Sequence, residues 1–224
     1  MALVAVAVLA FGSERALAQR GGGRGMGMGG PTAKARLATL PEVETELKLN
    51  DDQKTKITSI GDGLVTDTRA LFGGGGGDPG EMREKMEQLN KDASVKVDAL
   101  LDPTQQKRLQ EIAIQVNGPS SLNDPAVMDQ LKLTEDQKKK LGEARDANFQ
   151  AMRDAFADMG SMSREERQAK RDELRKAGDE KLMGVLTDQQ KIEFETLKGT
   201  PLTVDLSPLR PRFGGGGGGG GAPR

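Results

Sequence analysis

Over residues 51–72 the apolar side chains recur at three- and four-residue steps, Ile57, Ile60, Leu64 and Leu71 with Thr68 between them, on an otherwise polar chain. Only a helix gathers such positions on one face, so the spacing predicts a long helix with a narrow apolar stripe. The same step runs through Met82, Met86, Leu89, Ala93, Val97 and Leu100 in 81–101, and again through Leu141, Ala144, Asn148, Met152, Ala155 and Met159. A fourth stripe follows in Leu174, Gly178, Leu182 and Val185. Asparagine and glycine on these apolar lines predict a weaker contact in the second pair of helices than in the first. The turns differ as well. GGGGGDPG at 73–80 predicts a floppy tip with nothing to cap the next helix, whereas ADMGSMS at 157–163 predicts a compact tip restarted by the capping box Ser163-Arg164-Glu165-Glu166.

The pattern occurs twice. VETELKLNDDQKTKI (43–57) overlays VMDQLKLTEDQKKKL (127–141) at a shift of 84 residues, which also brings Pro41 onto Pro125, Leu47 onto Leu131, Arg69 onto Arg153 and Phe72 onto Phe156. Agreement at that many positions predicts two copies of one unit, each reading as helix, turn, helix, short helix.

Four segments share one grammar: Leu49-Asn50-Asp51-Asp52-Gln53, Leu101-Asp102-Pro103-Thr104-Gln105, Leu133-Thr134-Glu135-Asp136-Gln137 and Leu186-Thr187-Asp188-Gln189-Gln190. Each spells a helix start. Asn, Asp or Thr accepts a backbone N–H as N-cap, Gln three residues on reaches back to the cap, and Pro103 sits where a missing N–H costs nothing. The acidic residues among them suit the positive end of the helix dipole, so Asp51/Asp52, like Glu165/Glu166, read as first-turn residues and not as an acid–base pair.

Composition narrows the chemistry. Only 35% of the 224 residues are hydrophobic and 3% aromatic, too few for a thick core, while the charged 30% suits solvated helices. His, Cys, Trp and Tyr are all missing. Without imidazole or thiolate the sequence offers no Ser-His or Cys-His nucleophile and no ordinary zinc or copper site, and GGGGG at 73–77 follows no strand that would make it a phosphate cradle. No catalytic, cofactor or metal residue is assigned, Met26 and Met28 being weak Cu(I) donors at best, and the chain reads as no enzyme.

At the N-terminus, ALVAVAVLAF (2–11) and Ala16-Leu17-Ala18 fit a signal peptide over 1–18 cleaved near Ala18, and no later stretch is apolar enough to span a bilayer. A Gly/Arg-rich flexible segment (19–36) and a disordered Gly-rich tail (200–224) then flank the two units, 37–117 and 118–199. The flanking segments hold seven Lys or Arg against one Asp, while 37–199 is acidic. The basic tails read as solubilising spacers. An RNA-binding role is disfavoured, since only Phe213 offers a ring for base stacking.

The four capped segments resemble the LTxxQ signature that the periplasmic Spy/CpxP family carries twice per unit. Leu133–Gln137 and Leu186–Gln190 match outright; Asn50 and Asp102 replace the family's Thr, and the Gln-to-Gln spacings of 52 and 53 residues are shorter than in Spy. The resemblance implies an all-α fold in which two tandem helical-hairpin repeats form a thin, curved cradle. It further implies an ATP-independent periplasmic chaperone whose partners are unfolded or partly folded envelope proteins; the nearly balanced charge points to no nucleic acid partner, and the hydropathy to no integral membrane association. Relatives build the cradle from two subunits, so an intramolecular cradle and a homodimer both stay open here. Phe72, Phe149, Met152 and Phe156, near the hairpin tips, are candidate client contacts or, alternatively, filling between helices. An envelope-stress regulator and a structural envelope spacer are the alternative functions.

Overall fold

The computed structural model describes residues 32–73 and 78–209, which contain helices and no strand. Helices α1 (Lys34–Leu37), α2 (Pro41–Glu46), α3 (Asp51–Gly73), α4 (Pro79–Asp98) and α5 (Pro103–Asn117) lead through a 3-10 turn (Gly118–Asn123) into α6 (Pro125–Gln130). Then follow α7 (Glu135–Met159), α8 (Arg164–Met183), α9 (Asp188–Leu197) and a last 3-10 turn, Ser207–Leu209. The expected signal peptide, most of the N-terminal glycine segment, residues 74–77 and those from 210 onward lie outside the described residues.

Two long hairpins dominate, α3 packed on α4 and α7 packed on α8, with α1 laid against α3, α4 and α5. Narrow stripes on such polar helices bury little, and the apolar side chains collect at the hairpin bases in two clusters. Ala35, Leu37, Val43, Ile57, Leu64, Val97 and Leu109 belong to the first, and Leu122, Val127, Leu141, Leu182 and Phe194 to the second. Helix α5 joins them: Leu109, Ile112 and Ala113 enter the first cluster, while Ile114 enters the second. Burying one leucine contributes about 1.5–3 kcal/mol, so truncating a fully enclosed residue such as Phe194 should cost about 3–5 kcal/mol.

Each base opens with the same local device. At the end of α2 the N–H of Leu49 reaches the Glu44 carbonyl at 3.0 Å and that of Lys48 reaches Thr45 at 3.1 Å; after α6, Leu133 and Lys132 bond Met128 and Asp129 at 3.0 and 3.1 Å. This is a Schellman stop, which needs a left-handed residue. Lys48 (φ 53°) and Lys132 (φ 51°) supply it, the two non-glycine residues with positive φ among those described. Stopping one helix and capping the next within a few residues fixes a sharp corner between them.

Three observations add to the sequence reading or amend it. The glycine loop does close on a cap: Asp78 accepts from the N–H groups of Gly80 and Glu81 at 2.8 and 3.1 Å, with proline at the helix start. Helix α1 begins inside the segment expected to be flexible as far as 36, and Ala35 is fully buried in the first cluster together with Leu37. Residues 202–209, expected to belong to the C-terminal tail, pack Leu202, Val204, Leu206 and Leu209 against that same cluster.

Candidate functional site

All four capped segments form the helix starts their sequences spell. Asp102, Thr134 and Thr187 make complete capping boxes with Gln105, Gln137 and Gln190, and Asn50 does the same with Gln53, the two reciprocal bonds being 2.8 and 3.1 Å. Leu49, Leu101, Leu133 and Leu186, the residues before the caps, are each buried to within 6%. The leucine anchors the corner and the cap launches the helix away from it.

Local sequence does not reveal what the glutamines do next. Gln53 Nε2 donates to Gln105 Oε1 at 2.9 Å and to the Leu100 carbonyl at 2.8 Å, while Gln105 Nε2 donates to the Leu47 carbonyl at 3.0 Å. In the second half Gln137 Nε2 donates to Gln190 Oε1 at 2.7 Å and to Val185 O at 3.0 Å, and Gln190 Nε2 to Leu131 O at 3.2 Å. Each carboxamide thus uses its oxygen on its own cap and its nitrogen on the opposite helix junction, satisfying carbonyls that a helix end leaves open. The paired glutamines rivet the base of each hairpin. They are structural junctions with no space between them for a ligand.

The apolar surface lies further out. Phe72 and Phe156 sit near the ends of α3 and α7, each 43% exposed. Phe149 and Met152 are half-buried on α7, with the Arg153 guanidinium 6.0 Å above the Phe149 ring, a cation–π contact that covers part of it. Phe72 and Phe156 therefore stand at the surface, and Phe149 and Met152 between surface and core. The outer part of the α3/α4 arm, 65–72 and 80–92, contains no buried side chain; Thr68, Leu71, Met82, Met86 and Leu89 stay half-open, with Thr68 Oγ1 and Met86 Sδ 3.7 Å apart. The other arm closes at its tip, where Met159 is 3% exposed.

Charge brings the two arms together. Arg83 of α4 meets Asp146 of α7 at 2.6 Å, and Arg145 of α7 meets Glu87 of α4 at 3.0 Å. Sequence reading missed these pairs, since nothing local relates positions 63 and 58 residues apart. At the base Lys34 lies 3.5 Å from Asp124 and 4.0 Å from Asp98. Burial pushes the Asp98 carboxyl above its usual range; Lys34 opposes that rise and Asp124 adds to it.

Among the described residues no group of three or more His, Cys, Asp or Glu could hold a metal ion, and no helix is long and apolar enough to cross a membrane. Comparison with protein-family models, with curated proteins and with solved structures returns no match for this chain.

Proposed function

We propose that this chain is an exported, Spy/CpxP-like holding protein that binds unfolded or partly folded envelope proteins without ATP, through the apolar line of its two arms. The observation that carries the reading is the pair of phenylalanines, Phe72 and Phe156, each 43% exposed near the far ends of the two long hairpins. An exposed ring on an arm that also carries half-open methionine and leucine offers adaptable apolar contact, and the dense surface charge keeps client and holder soluble. The riveted bases suit the same task, fixing where the two arms start, while the Arg83–Asp146 and Arg145–Glu87 pairs tie α4 to α7 farther out and steady the apolar line for a client. The thin, curved cradle of tandem hairpins belongs to this proposal.

The test is aggregation of an unfolding substrate protein followed by light scattering, with the chain in molar excess and no nucleotide present. Suppression by the wild type, weakened several-fold by Phe72→Ser with Phe156→Ser, is the expected result. Absence of suppression by the folded wild type sinks the reading and leaves a stress-signalling partner or an envelope spacer.

A further inference from the structure

After α9 the chain turns at Gly199 (φ 60°), a corner that favours glycine because another residue would be strained and its Cβ would displace the Glu111 carboxylate, 2.2 Å away. It then runs back over the first cluster, without helix or strand as far as Leu206 and ending in the 3-10 turn Ser207–Leu209. Leu202, Val204 and Leu206 are half-buried against that cluster while Thr203, Asp205 and Ser207 face out, the two-residue alternation of an extended peptide. Its ends are held by side chains of the body. Gln115 Nε2 donates to the carbonyls of Lys198 and Thr200, the latter at 2.8 Å, and Gln115 Oε1 accepts from the Leu202 N–H at 2.9 Å. Eleven residues along the sequence from Lys198, the Arg36 guanidinium donates to the Leu209 carbonyl.

These are the elements of peptide recognition. A side-chain carboxamide reads the backbone of an extended segment, and an apolar surface accepts every second side chain. We propose that the surface between α1, α2 and α5 is a binding site for extended peptides with branched aliphatic side chains at alternate positions, and that residues 200–209 occupy it in cis. The chemistry selects the pattern Leu-x-Val-x-Leu, because the backbone grip tolerates any residue whereas a polar side chain at the inward, half-buried positions would give up apolar contact with the first cluster. A segment that starts three residues after the end of α9 is present at an effective concentration in the ~mM range, so an outside peptide binds weakly until the cis segment leaves. This site lies away from the arms and does not depend on the holding function.

The test uses the full chain and a fluorescein-labelled peptide of residues 199–209, GTPLTVDLSPL, read by anisotropy. Leu202→Ser, Val204→Ser and Leu206→Ser together empty the site; this variant should bind the peptide at least tenfold more tightly than wild type, and a peptide with the same three serines should bind neither. Equal affinity for variant and wild type, or no binding by a variant with wild-type helical circular dichroism, overturns the proposal. Hydrogen exchange on the unaltered wild type gives a second reading that needs no substitution. Saturating unlabelled peptide should speed deuterium uptake in 200–209 severalfold, and unchanged uptake would likewise overturn it.

Discussion

Gln53 donates its carboxamide N–H to the carboxamide oxygen of Gln105 at 2.9 Å, joining two helix starts that are 52 residues apart in the chain. Each glutamine also bonds its own cap and a carbonyl of the opposite junction, so neither can be removed without freeing partners on both sides. Gln105→Ala should cost about 1–3 kcal/mol by chemical denaturation. In a double-mutant cycle Gln53→Ala and Gln105→Ala should couple by about 1 kcal/mol, whereas Gln53→Ala and Gln190→Ala should be additive.

Gln105→Glu gives the same junction a pH dependence. The carboxylate would face the Leu47 carbonyl, now bonded by Nε2 at 3.0 Å, and lose the donor. A carboxyl so placed has a folded pKa above its unfolded value, so it favours the folded state while protonated and opposes it once ionised. The variant should approach wild-type stability below about pH 4 and fall away as pH rises through the raised pKa. Thermal melts at pH 3.5 and 7 check this, and a constant deficit would contradict it.

Lys48 and Lys132 occupy left-handed conformations that cost a side-chain-bearing residue about 1 kcal/mol. Lys48→Gly and Lys132→Gly should therefore each stabilise the fold by up to that amount, with no change in helix content by circular dichroism.

Asn148 packs on Gly178, where an added Cβ would lie 2.9 Å from the asparagine Nδ2. Leu64, 84 residues earlier in the chain, is 4% exposed in the first cluster. Leucine has nearly the shape of asparagine, so Asn148→Leu should raise stability by about 1 kcal/mol, read as an increase in Tm.

Asp98 gives a prediction of opposite sense to that of an ordinary paired carboxylate. Burial raises its folded pKa, so ionisation detracts from stability at neutral pH, and the penalty fades as pH falls below the ordinary value. Asp98→Asn should raise Tm at pH 7 and make no difference near pH 3. The gain should stay below about 1 kcal/mol, since the side chain is 37% exposed and screened.

Much of this architecture was legible in the sequence. The stripes through Ile57, Leu64, Val97, Leu141 and Leu182 are the lines that face the cores, and the four caps form as their residues dictate, because helix period and capping are local properties. The rest depends on distant partners. Neither the glutamine rivets nor the Arg83–Asp146 pair leaves a local trace. The segment 202–209 was hidden by the glycine-rich sequence after it, although Leu202, Val204 and Leu206 alternate as an extended buried edge should. Asp78-Pro79 was a readable cap, obscured by the five glycines before it.

The central claim is that unfolded protein is held on the outer arms and not on any exposed apolar residue. Ile192 offers the control, being 63% exposed but on α9, away from both arms. A photo-cross-linking phenylalanine analogue placed singly at 72, 156 or 192, irradiated with an unfolding substrate, tests the claim most directly. Strong adducts from 72 and 156 and few from 192 are predicted; equal adducts from all three positions, or none from the arms, would contradict the account.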